Sequence, residues 1–120
     1  MKMREIQFGA QPPIDGYGPG GFRIGAVWYE GSLLASAQGV EHLALPLSRE
    51  GLARVLALAG EVDVLLVGQG AEIAPLLPQL RAEIEAAGMG VEVMSTPSAC
   101  RTYNVLLSEA RRVAALLTAL

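Results

Sequence analysis

A single cysteine, Cys100, rules out an internal disulfide in this chain of 120 residues. With only one histidine, His42, beside it, the thiol falls well short of a zinc set. A lone free thiol points to a reducing cytoplasm. Basic residues are also few: nine Lys and Arg against twelve Asp and Glu leave a net charge of −3. They are scattered, with only Arg111 and Arg112 adjacent, and no basic stripe exists to track a nucleic acid. The longest apolar runs, Val64–Val67 and Val113–Leu117, are far below the ~20 residues of a spanning helix, so no membrane insertion is expected. The opening stretch "MKMREIQFGAQPP" has no apolar segment of signal-peptide type. Walker A, HExxH and G-x-S-x-G patterns are all missing. Glu83 and Glu85 fall on one surface helix and Asp63 at a strand start, which makes no acid/base couple. The expectation is one soluble cytoplasmic domain over residues 1–120, with no cofactor called for.

What is present is apolar: 52% hydrophobic against 18% charged residues describes a globular chain with a real core. Its character changes near residue 47. Gln11–Gly21 ("QPPIDGYGPGG") reads as a loop, because Pro and Gly at that density support neither helix nor ladder. Phe22–Tyr29 reads as a strand with Phe22, Ile24, Ala26 and Trp28 on one face. Glu30-Gly31 then suits a tight turn into a strand over Ser32–Ala37, and Val40–Leu45 is a further strand.

Beyond residue 47 strands alternate with helices. Ser48 caps a helix over Arg49–Ala59, whose Leu52, Val55, Leu56 and Ala59 repeat at helical spacing before Gly60. Val62–Val67 is apolar on both faces, as a buried parallel strand should be. Pro75 and Pro78 suit first-turn positions, and Pro78–Ala87 forms a helix with Leu80 and Ile84 inward, ending at Gly88. Val91–Met94 is a short strand. Two such units in succession imply right-handed crossovers and a mainly parallel sheet. Thr96-Pro97 is a strong helix start, hydroxyl cap then proline, and this helix runs to about Ser108. Ala99, Tyr103, Leu106 and Leu107 share one side, Arg101, Asn104 and Ser108 the other, with Cys100 at the boundary. Periodicity alone makes Arg111–Leu120 a helix through Val113, Leu116, Leu117 and Leu120; a central strand is the alternative.

Three features bear on chemistry. Gly16–Gly21 matches G-x-G-x-x-G, yet a strand follows rather than precedes it, contrary to a dinucleotide turn. Gly68-Gln69-Gly70 lies at a strand's C-terminal end, where open sheets bind ligands, although two glycines also simply permit a turn. Cys100, in the first turn of a helix beside Arg101, has the setting of an activated thiol. It lacks a nearby base, and a small buried residue is the other reading. His42, alternating with Val40 and Ala44, reads as structural.

Taken in order, "DGYGPGGFRIG", "YEGSLL", "VDVLLVGQG" and "VEVMSTPSACRTYNVLLSEARRVAALL" resemble the Mth-like domain-of-unknown-function family. Its members include a mitochondrial complex I assembly factor and an adipogenesis-associated protein. The resemblance runs from about Ile6 to Leu117. It implies a three-layer α/β fold: a central mixed, mostly parallel sheet, helices, and an added antiparallel β-layer from the N-terminal half. It also implies a strand at Arg111–Thr118, antiparallel to the others, against the periodicity. Glycine is frequent in the family where this chain has Ala110, so the turn there is weakened. The functional implication is a non-catalytic protein-binding factor assisting respiratory complex I assembly, with complex I subunits or assembly factors as partners. No catalytic residues follow from it. The positions matching its motif around a cleft are Gly68, Gly70, Thr96, Cys100, Arg101, Thr102 and Asn104. A rival reading has that crevice hold an anionic small molecule at the helix start, with Arg101 as counter-charge. A homodimer through the β-layer, using Trp28 and Tyr29, is a third possibility.

Overall fold

The computed structural model describes residues 11–71 and 76–120. The reading of the first ten residues and the role given to Pro75 lie outside them. Eight strands and three helices follow in order: β1 (Ile14–Gly18), β2 (Gly21–Ile24), β3 (Val27–Glu30), β4 (Leu33–Ser36), β5 (Gly39–His42), α1 (Arg49–Leu56), β6 (Val64–Gly68), α2 (Pro78–Ala86), β7 (Gly90–Met94), α3 (Thr96–Ser108) and β8 (Val113–Leu117). They build two sheets, an antiparallel β1-β2-β3 and a mixed β5-β4-β8-β6-β7. The half of the large sheet made by β7, β6 and β8 is parallel, and β8-β4-β5 is antiparallel.

The large sheet separates two apolar clusters. On one side Leu34, Leu65, Val67, Ala114 and Leu116 meet Leu52 and Val55 of α1 and Ile84 of α2. On the other, Leu33, Ala35, Leu66, Val113, Ala115 and Leu117 meet Ala99, Cys100 and Tyr103 of α3, with Phe22 and Ile24 of the small sheet. The three layers are therefore α1 and α2, the large sheet, and α3 beside the small sheet.

The C-terminal segment is a strand, and its position explains the false helical period. All five residues Val113–Leu117 are buried, because β8 lies between β4 and β6 with both faces covered. Burial on two faces removes the polar alternation by which a strand is recognised. Contrary to the implied orientation, β8 is antiparallel to β4 only and runs parallel to β6.

The glycine-rich start departs most from expectation. Gln11–Gly21 is not all loop, since Ile14–Gly18 forms β1 and pairs with β2. Nor is Phe22–Tyr29 one strand: Gly25 and Ala26, at φ 59° and 68°, turn it back as β2 and β3. Two successive positive φ values are those of a type I′ hairpin turn. Ala26 is exposed in that turn instead of sharing a face with Phe22 and Ile24. Glu30-Gly31 does not make a hairpin either; at Gly31 the chain passes from the small sheet to the large one. The next two strands are shorter than read, at Leu33–Ser36 and Gly39–His42.

The helices follow their local signals closely. Ser48 caps α1 by accepting from the Gly51 N–H at 3.1 Å, a bond of the kind worth ~1 kcal/mol. The helix ends at Leu56, and turns carry the chain on to Gly60 at φ 87°. α2 starts on Pro78 and is followed by Gly88 at φ 100°. The cap of α3 is Ser95, one residue before the expected Thr96. After α3 the turn places Ala110 at φ 59°, where an L-residue is strained and glycine is not.

Candidate functional site

The C-terminal ends of β6 and β8 meet the start of α3, and there the motif residues first come together. Thr96 is free to bond elsewhere because Ser95 takes the capping position. Its hydroxyl accepts from the Gly70 N–H at 2.9 Å and donates to the Thr118 carbonyl at 2.7 Å. The Thr96 N–H donates to the Gly70 carbonyl at 2.7 Å, and the Thr118 N–H to the Gly68 carbonyl at 2.8 Å. Gly68, Gly70 and Thr96 thus form one interlock joining β6, α3 and the end of β8. A Cβ on Gly68 would lie 3.0 Å from both Leu117 Cδ2 and Thr96 Cα, so glycine here lets the helix sit directly on the strand. Gly70 turns the chain at φ 90°.

The first turn of α3 has no amide left over. Pro97 has none, the Ser98 N–H donates to Ser95 Oγ, and the Ala99 N–H donates to the Ser95 carbonyl. The donors an anion needs at a helix start are engaged within the chain.

The remaining motif residues diverge. Cys100 points into the core shared with Phe22 and Tyr103. Burial pushes its thiol up to about 11, against the smaller opposing pull of Arg101, so it is neutral near pH 7. Arg101 is exposed and donates to Ser98 Oγ at 3.2 Å. Thr102 is half-buried. Asn104 does not join Arg101 in a solvated stripe. Its Oδ1 accepts from the Ile14 N–H and its Nδ2 donates to the Ile14 carbonyl, both at 2.8 Å, which fastens β1 to α3. Tyr103 adds a second tie, accepting at its hydroxyl from Gln11 Nε2 at 2.9 Å.

Two further surfaces matter, of which the sequence reading missed the first and named the second only as a dimer contact through Trp28 and Tyr29. A groove of about 330 Å³ lies on the α2 side of the same strand ends. Leu45, Leu47, Leu77 and Leu80 make its apolar walls, and Gln69 and Thr118 are polar members. Gln69 between two glycines was the available signal. The second surface is the outer face of the small sheet. Trp28 lies there against Gly21 and Gly18, its Nε1 donating to Glu30 Oε2 at 2.9 Å. A Cβ on Gly21 would come within 2.6 Å of the indole. The glycines that suggested a loop make room for the only tryptophan, which remains 42% exposed beside Val27 at 51%. His42, on β5, has its ring 6.3 Å from that of Tyr29. Among the described residues no group of three or more His, Cys, Asp or Glu could hold a metal ion.

Fold and site together define a three-layer α/β domain with an added antiparallel β-layer, the architecture of Mth938-like domains. The chain belongs to the family described as a protein of unknown function (DUF498/DUF598), whose model matches residues 14–118. It is 52% identical over 118 residues to an uncharacterised protein of Rhodobacter capsulatus, covering 98% of this chain and 92% of the relative. It is 39% identical over 71 residues to NADH dehydrogenase (ubiquinone) 1 alpha subcomplex assembly factor 3 of Danio rerio. That match covers 59% of this chain and 41% of the fish protein. Among solved structures, one described as an outer membrane protein from Bartonella henselae aligns with TM-score 0.86 and 38% identity, over 92% of this chain and 96% of that one. A Mth938-like domain from Bordetella pertussis aligns at TM-score 0.72 and 26% identity, over 98% and 92%. No helix among the described residues is long and apolar enough to cross a membrane.

Proposed function

We propose that this chain is a protein-binding factor that assists assembly of a multi-subunit complex, with respiratory complex I subunits or assembly factors as its partners. The kinship with assembly factor 3 supports the class of role. The observation that carries it is how the motif spends its polar groups. Thr96, the start of α3 and Asn104 bond within the chain, and Cys100 is buried. Large apolar side chains, the neighbours Val27 and Trp28 among them, meanwhile face solvent. A molecule so arranged has little with which to do chemistry and a surface with which to bind. A second copy of the chain belongs to the same reading as a possible partner.

The test is affinity purification of the tagged full chain from its own cells, probed for complex I subunits and their assembly factors. Recovery of those subunits, with lowered respiratory NADH oxidation in a deletion strain, is the expected result. A tagged protein that brings down nothing beyond itself, in cells whose NADH oxidation survives the deletion, excludes the complex I role.

The groove beside Gln69 favours a second reading, a small-molecule site at the strand ends. Its leucine walls suit an apolar ligand better than an anionic one, because charge buried there would lack a partner. A ligand of the folded state raises the melting temperature. Thermal-shift screening of CoA derivatives, nucleotides and sugar phosphates against free fatty acids decides between the two chemistries, and no shift with any of them removes this reading.

A further inference from the structure

Two sheets present four edges, and the molecule treats them unequally. At β1 the Asn104 amide occupies both the N–H and the C=O of Ile14. At β7 the Arg81 guanidinium donates to the Val91 carbonyl at 2.9 Å. β5 carries Glu41 and His42, with Arg54 held on Glu41 at 3.0 Å, and charge on an edge discourages a further strand. β3 carries one edge charge, Glu30, held by the Trp28 indole, and among the described residues has no side chain bonded to its open backbone groups as β1 and β7 have. Its sequence Val27–Glu30 contains no Pro, Lys or Arg, and it exposes Val27 and Trp28.

The hairpin register tells which backbone groups are open. Ile24 and Val27 flank the two-residue turn and share ladder bonds, as do Phe22 and Tyr29 two residues on. The alternate residues, Trp28 and Glu30, therefore turn their N–H and C=O groups away from β2. Another extended strand satisfies a row of that kind.

We propose that β3 is the seam of a two-fold homodimer, the edge of one copy pairing antiparallel with the same edge of a second copy. This builds on the protein-binding reading and names where the second copy attaches. Antiparallel self-pairing centred on Tyr29 sets Trp28 of each copy opposite Glu30 of the other. The outward backbone groups of those residues then meet, and the two small sheets become one continuous sheet. Side chains agree with that register. The indole Nε1 that donates to Glu30 within the chain faces the same carboxylate on the second copy, and the two Glu30 side chains are not opposed. The exposed Val27 and Trp28 lie along the seam.

Sedimentation equilibrium of the full chain from about 10 μM to about 1 mM, with amide exchange by NMR, tests it, because a weak dimer shows itself only through concentration. The expected mass at the upper end is twice the 12.6 kDa of one chain. Exchange at Trp28 and Glu30 slows as the dimer forms, while Phe22 and Tyr29 stay protected throughout. Trp28→Lys returns the mass to one chain, and Val105→Lys, on the exposed face of α3, leaves the dimer intact. A single-chain mass over the whole range overturns the proposal. So does a dimer whose Trp28 and Glu30 amides exchange as freely as a loop's, a result independent of how any variant folds. Either outcome leaves the search for complex I partners standing as a separate question.

Discussion

Thr96 has the chemistry of a helix cap and does something else with it. Ser95 caps α3, and the Thr96 hydroxyl instead bridges Gly70 and Thr118, so one side chain closes the ends of two parallel strands over a helix start. Cys100 is similarly displaced from its apparent role. Burial keeps the thiol protonated, which predicts negligible reaction with a disulfide probe at pH 8 until the chain unfolds. It also predicts a pH effect of definite sign. The unfolded thiol ionises near 9 and the folded one near 11, so the unfolded state holds fewer protons in that window and stability falls as pH rises through it. Denaturant melts across pH 8–11 should show a steeper loss in the native chain than in Cys100→Ala. Ala110 is the strained residue of the α3–β8 turn at φ 59°. Ala110→Gly is expected to raise stability by about 1 kcal/mol, read from the urea midpoint at constant slope.

Among the elements, β1 depends most on a single side chain. Asn104→Ala removes both bonds to Ile14 and should lower global stability by ~1–3 kcal/mol. Amide exchange should rise first in β1 and β2, before the large sheet; a uniform rise over both sheets would show that Asn104 does not hold β1 selectively. The three helices were legible because their signals are local: Ser48 before α1, Pro78 at the start of α2, Pro97 early in α3, each with an apolar stripe. The resemblance implied the added β-layer, but its strands and turns were not legible. Its glycines serve a contact with Trp28 ten and seven residues away in the chain, and no local rule tells such a glycine from one in a loop. β8 was hidden for the opposite reason, since burial on both faces leaves no alternation to read. The family resemblance recovered it, though not its parallel pairing with β6. At the site, spacing put Cys100 on the boundary of a helix face. The tertiary packing, which sets it in one cluster with Phe22 and Ile24 of the small sheet and residues of the large one, decides that it is core.

At the scale of the molecule, the polar motif "STPSACRTYN" is an internal fastening. It ties the strand ends, the long helix and the added β-layer into one body. The proposed binding role falls to outward features: the Trp28 face, the open β3 edge and the leucine groove. This division predicts that substitutions at Trp28 impair partner recruitment while leaving the fold intact, and that removing the thiol impairs nothing. The most direct measurement is the amount of assembled complex I, by native gel with in-gel NADH oxidation, in a deletion strain carrying back the native chain, Cys100→Ala or Trp28→Lys. Binding as the mechanism predicts loss in the deletion, full restoration by the native chain and by Cys100→Ala, and failure of Trp28→Lys despite normal protein levels. Unchanged complex I in the deletion, or restoration that requires the Cys100 thiol, would contradict it.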